Sequence, residues 1–155
     1  MTVGRGTMAG MYHMERDEWL TFVGQGTKTG KLATTRKDGS PHVAPVWFLV
    51  DAADDGDHLV FTTGADTIKG RTLRRDPRLA MVVDLEEPPF SFVQFTAEAT
   101  ISEDLDEMLD WAVRLGARYM GEEQAGAFGK RNAVPGELLV RARITKVVAL
   151  AEIAD

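Results

Sequence analysis

Two long runs in this chain alternate apolar and polar residues with a period of two. Val93, Phe95, Ala97 and Ala99 interleave with Phe92, Gln94, Thr96, Glu98 and Thr100, while Val140, Ala142 and Ile144 interleave with Arg141, Arg143 and Thr145. Only an extended backbone sends successive side chains to opposite faces, so each run predicts a strand with one dry and one wet side. Strands wetted on one side belong to antiparallel sheets, because parallel sheets are covered on both faces.

Shorter β-prone segments at residues 31–35, 42–50, 59–63 and 79–84 join the two runs at 92–101 and 138–153 to give six expected strands. Asp38-Gly39 is a hairpin turn signal, and Pro88-Pro89 marks a further turn. Pro45 cannot donate to a sheet ladder, so its strand is expected at an edge or at a bulge. Helical patterns appear at three places. Trp19, Leu20, Phe22 and Val23 form one face of a short helix ended by Gly24 and Gly26. Residues 67–75 suit a basic helix capped by Asp66 or Thr67 and stopped by Asp76-Pro77. Asp104 with Glu107 resembles a capping box for a helix reaching about Tyr119. The segments 51–57 and 121–136 read as loops, and 1–14 as a flexible lead-in to a single domain at 15–155. Without a repeating βαβ order, the expected class is mainly β, an antiparallel barrel with accessory helices.

Composition removes several functions. The 155 residues include no cysteine, which excludes disulfides, thiolate nucleophiles, iron–sulfur clusters and thiolate zinc sites. His13, His42 and His58 show no metal-ligand spacing, so neither a metal site nor a catalytic histidine is expected. A net charge of −6 opposes general affinity for nucleic acid. No apolar run suits a membrane span, and the first residues do not resemble a secretory signal, so the cytoplasm is the expected compartment.

The segment most suggestive of chemistry runs from Phe61-Thr62-Thr63-Gly64 through Thr67-Ile68-Lys69-Gly70-Arg71. Hydroxyls at a strand end, free amides at a helix start and the cations Lys69 and Arg71 together could hold an anion such as phosphate. The same residues also describe a solvated basic helix with a threonine cap, and they match neither glycine-rich nucleotide motif. Both readings stay open on the residues alone. The stripe Trp111 to Tyr119, carrying Arg114 and Arg118, reads as helix packing plus solvated charge, with a place beside a partner's site as the alternative.

The order Lys31-Leu-Ala-Thr-Thr-Arg-Lys-Asp-Gly-Ser-Pro-His-Val-Ala-Pro-Val-Trp-Phe48, then Thr62-Thr63 through Pro77, then Val93-Gln-Phe-Thr-Ala-Glu-Ala99 resembles the pyridoxamine 5′-phosphate oxidase-like split β-barrel superfamily. Within it, the chain is similar to the branch of deazaflavin-dependent oxidoreductases that use coenzyme F420. The resemblance implies a six-stranded, FMN-binding-like split barrel forming a homodimer, with a cofactor in each groove between subunits. It implies that Thr34, Thr35, Pro45, Val46 and Trp47 lie along the tricyclic ring and its chain. Thr62 and Thr63 would approach the ribityl or phosphate region, with Lys69 and Arg71 on the phosphate; Lys31 and Ile68 complete the expected cofactor-binding set. Trp47 and Val46 as barrel core, and Thr34 and Thr35 as ordinary β-formers, are the competing readings.

The implied activity is hydride transfer between F420 and a small conjugated substrate of enone or imine type, an F420H2-dependent reductase with no catalytic side chain named. An FMN-dependent oxidoreductase, or a non-catalytic carrier of flavin, deazaflavin or heme, is the alternative. Activity on pyridoxamine phosphate is not expected, because Ala149 to Asp155 lacks the arginine-containing motif that ends that oxidase.

Overall fold

The computed structural model describes residues 10–155. Among the described residues, eight strands form one antiparallel sheet, accompanied by four helices. In chain order they are β1 (Tyr12–His13), α1 (Arg16–Gly24), β2 (Gly30–Thr35), β3 (Pro41–Val46), β4 (Leu49–Ala53), β5 (Gly56–Gly64), α2 (Ile68–Arg75), β6 (Arg78–Leu85), β7 (Ser91–Ser102), α3 (Leu105–Met120), α4 (Glu122–Asn132) and β8 (Glu137–Ala151). The sheet runs β3-β2-β6-β7-β8-β5-β4, with β1 added beside β8.

Its two outer strands, β3 and β4, are consecutive in sequence and joined only by Trp47 and Phe48. The single strand expected over 42–50 is therefore split: the chain leaves one end of the sheet and starts the other. Pro45 sits on edge strand β3, paired with Lys31 on one side only, so its missing N–H costs no ladder bond. The count rises from six to eight through this split and through β1. Part of the expected lead-in is thus a strand, with Tyr12 opposite Ala151 and His13 opposite Leu150, while residues 1–9 lie outside the described residues. The expected acidic loop at 51–57 is the β4–β5 hairpin, in which Ala53 pairs with Gly56.

The dry faces converge on one core. Leu32, Phe48, Leu59, Phe61, Met81, Val83, Val93, Phe95, Val140 and Ala142 are buried in it, and Trp19 and Val23 of α1 cover one end. Trp19 meets Phe95 edge-on at 5.5 Å between ring centroids. Burial of this apolar surface, worth about 25 cal/mol per Å², is what the period-two pattern encodes.

The segment 121–136, expected as loop, contains α4. Its glycines lower helix propensity, but tertiary packing reverses the preference. A Cβ on Gly129 would stand 2.5 Å from Val113 Cγ2, and one on Gly116 would stand 3.0 Å from Phe128 Cβ. The small residues let α3 and α4 approach closely. The α3 start follows expectation, since Asp104 accepts from the N–H groups of Asp106 and Glu107. Glu107 does not return to the Asp104 amide as a capping box requires; Ser102 Oγ accepts from that amide and donates to Glu107.

Candidate functional site

Strand β5 ends at Gly64, and the chain turns at once into α2. Thr67 organises the turn. Its hydroxyl donates to the Gly64 carbonyl at 2.7 Å and accepts from the Gly70 N–H at 3.1 Å. With that proton spent, Thr63 becomes the donor in the 3.1 Å hydroxyl pair it forms with Thr67. The cap leaves the N–H groups of Ile68 and Lys69 outside the helix's own ladder. Gly70 makes this geometry attainable: a Cβ there would lie 2.2 Å from the Gly64 carbonyl oxygen, so α2 rests backbone to backbone on the strand end.

Beside the turn is a cleft of about 320 Å³, at the small end of the range of ligand pockets. Pro45, Val46 and Trp47 form its apolar wall, and Thr62, Thr63, Gly64, Thr67 and Lys69 form its polar end. Leu115 of α3, Asn132 of α4 and Glu137 of β8 complete it. Trp47 stacks on Tyr119 at 5.0 Å, with ring planes 5° apart, and meets Phe128 at 5.8 Å. The α3–α4 pair thereby fixes the indole.

The same helix end holds the β3–β4 joint. Arg118 donates to the carbonyls of Phe48, Val23 and Gly26 at 2.7, 2.6 and 3.1 Å. Tyr119 accepts from the Phe48 N–H at 3.2 Å and donates to the Lys28 carbonyl at 2.8 Å. Burial pushes the Arg118 guanidinium below its ordinary pKa and the Tyr119 phenol above its own. Arg118, expected as solvated charge, is a half-buried clamp; its charge-assisted bonds satisfy carbonyls that no strand pairs.

Six of the eleven expected binding residues line this cleft: Pro45, Val46, Trp47, Thr62, Thr63 and Lys69. The other five stand elsewhere. Arg71 lies two residues beyond Lys69, about 200° around the helix axis, and donates twice to the Asp66 carbonyl. Ile68 is 46% exposed. Lys31 pairs with Asp84 at 2.9 Å, and exposed Thr35 offers its carbonyl to Arg75 at 2.6 Å. Thr34 is buried, yet its Oγ1 has no hydrogen-bond partner, and neither has Nδ1 of His42, its register neighbour. Such atoms are costly unless something bonds them.

Sequence reasoning missed Glu137. Its carboxyl is half-buried, and burial raises its pKa above the ordinary carboxylate range while Lys69 opposes the rise. No sequence signal marks it, because β8 pairing across to Gly64 is what brings it into the cleft. Among the described residues, no group of three or more His, Cys, Asp or Glu is placed to hold a metal ion, and no helix is long and apolar enough to cross a membrane.

The family model for pyridoxamine 5′-phosphate oxidase matches residues 16–150. Comparison with curated proteins finds no match. Among solved structures, the chain is similar to the conserved hypothetical protein Rv2991 from Mycobacterium tuberculosis, with 25% identity over 94% of this chain and 89% of that one and a TM-score of 0.76. It is similar to an F420 reductase, with 25% identity over 81% of this chain and 93% of that one and a TM-score of 0.64. A FAD-binding protein (mll6688) from Mesorhizobium loti shares the fold at 21% identity, 90% and 96% coverage and a TM-score of 0.65.

Proposed function

This chain belongs to the pyridoxamine 5′-phosphate oxidase family, and from that premise we propose that it is a cytoplasmic homodimeric oxidoreductase transferring hydride between F420 and a small enone- or imine-type substrate. The observation that carries the reading is the cleft itself, in which an aromatic and proline wall continues into threonine hydroxyls, a helix start and Lys69. A planar ring with an anionic arm matches that order of surfaces.

The deazaflavin, when bound, supplies the hydride-carrying centre. The chain's own part is to position, to exclude water and to set charge. Pro45, Val46 and Trp47 would hold the ring against an indole already fixed by Tyr119 and Phe128. Lys69 and the first-turn amides of α2 would hold the phosphate. Thr62 and Thr63 would approach the polyol chain between them. Lys31, Thr34, Thr35, Ile68 and Arg71, outside the cleft, would meet the parts of the cofactor that extend toward a second subunit. The face offered for that subunit includes Val43, 64% exposed on edge strand β3, beside Ala33 and Ala80 in register. Small and apolar, this strip is one on which another copy can lie flat.

FMN is the second reading, favoured by the FAD-binding relative and by a cleft that would accept either phosphate. The test is titration of the purified protein with F420 in both redox states and with FMN, followed by a screen of enones for oxidation of the reduced cofactor. Lys69→Ala is expected to weaken cofactor binding by about 1–3 kcal/mol, the scale of a charge-assisted hydrogen bond, with an unchanged melting temperature. Unaltered affinity in that variant would remove Lys69 from the phosphate. Tight uptake with no substrate oxidised would favour a carrier over an enzyme, and a monomer in sedimentation would remove the shared groove.

A further inference from the structure

We propose that Glu137 is a proton-controlled gate at the anion end of the cleft: ionised, its charge offsets that of Lys69 across the cleft and repels an anionic arm, and protonated, it leaves the charge of Lys69 unopposed and becomes a donor itself. The inference rests on the assignment of the cofactor's phosphate to Lys69. Its basis is geometric. Glu137 opens β8 directly opposite Gly64, and a Cβ placed on Gly64 would stand 3.6 Å from Glu137 Oε1. The carboxyl therefore stands beside Gly64 at the polar end of the cleft.

Charge around it is sparse. Lys69 of α2 and Glu137 of β8 are the charged residues lining the cleft; β5 contributes Thr62, Thr63 and Gly64, α4 contributes Asn132 and α3 contributes Leu115. One cation and one carboxylate leave this end close to neutral. An arriving phosphate would then meet an anion beside the cation offered to it, and like charges set together in a partly desolvated site oppose binding. Proton uptake by Glu137 removes that opposition. Burial already biases the carboxyl toward the neutral form, while Lys69 pulls the other way, so the proton is held less loosely than on a free glutamate. The gate favours anionic ligands as pH falls through the carboxyl's raised titration and relaxes its hold above it.

The experiment compares the full-length wild type with Glu137→Gln, which keeps the side chain's shape and removes its charge. Both proteins are titrated with F420, FMN and riboflavin, the last carrying FMN's ring without phosphate, from mildly acid to mildly alkaline pH. At the alkaline end, Glu137→Gln is expected to bind FMN and F420 roughly tenfold more tightly than wild type, given the screening of a partly exposed site, and riboflavin equally well. Wild-type affinity for FMN should climb as pH falls. The variant should keep only the shallow slope of FMN's own phosphate proton, whose pKa is about 6. Equal FMN affinities of the two proteins at every pH would overturn the gate and leave the cofactor assignment standing. Absence of binding by either protein to any of the ligands would overturn both. A gain for riboflavin as large as that for FMN would also count against the gate, since the effect would not be electrostatic on the arm.

Discussion

Alanine in place of Gly70 and alanine in place of Gly126 are the same chemical change in two helices, yet the structure gives them opposite signs. In an unobstructed helix interior, alanine is favoured over glycine by about 0.5–1 kcal/mol because it has less conformational freedom to lose. Gly126, exposed in α4, has nothing within 4 Å of the position a methyl group would take, so Gly126→Ala should gain that full amount. Gly70 would receive the same gain, but its methyl would stand 2.2 Å from the Gly64 carbonyl oxygen and 3.1 Å from Ala65 Cα. Both obstacles are backbone and cannot rotate aside. Overpacking of this kind costs about 1–3 kcal/mol, occasionally more; contact with immobile atoms puts it at the upper end, for a net loss of about 2 kcal/mol after the helix gain. That corresponds to a fall of roughly 4–8 °C in melting temperature for a chain of this size. Urea unfolding followed by circular dichroism should show the midpoint lowered at unchanged slope for Gly70→Ala and raised for Gly126→Ala. Because α2 must lift from the end of β5, Gly70→Ala should also weaken FMN uptake through displacement of Lys69. Equal stability of Gly70→Ala and wild type would refute the close backbone approach on which the polar end of the cleft depends.

Arg118→Met keeps the length of the side chain but abandons the carbonyls of Val23, Gly26 and Phe48; unfolding in urea should show a loss of about 2–4 kcal/mol, and a loss under 1 kcal/mol would mean that water replaces the clamp at little cost. Asp76 is held down to about 2 by hydrogen bonds from the Arg78 side chain and then its backbone N–H. A depressed carboxylate stabilises the fold above its unfolded pKa, and that contribution disappears as pH falls from about 4 toward 2. Carbon-13 titration should place the Asp76 midpoint near 2 in wild type and nearer the ordinary aspartate value in Arg78→Ala; coincident midpoints would show that Arg78 does not set it.

Much of the barrel was legible because it is written in local periodicity. The alternation along β7 and β8, the Asp38-Gly39 turn and the edge position required by Pro45 all follow from neighbouring residues. The break between β3 and β4 does not. Trp47 and Phe48 are good strand formers, and contacts with residues distant in sequence, Arg118 and Tyr119 among them, hold the turn there. α4 was hidden for a related reason, its glycines being unfavourable alone and useful only against α3. For the cleft, the run of threonines and cations located the strand end and the helix start. That Lys69 and Arg71 diverge was already implied by their spacing in a helix, since residues two apart do not share a face. Glu137 enters only through cross-strand register, which no reading of one segment supplies.

Strand β8 is the last of these elements to be synthesised, yet β1, β5 and β7 all use it as their neighbour. Until it emerges from the ribosome, β5 and β7 expose unpaired amides and carbonyls along their length, and the cleft lacks one wall. Assembly of this sheet must therefore wait for translation to reach Glu137–Ala151, leaving a late interval in which the nascent chain offers open edges to aggregation or to a chaperone.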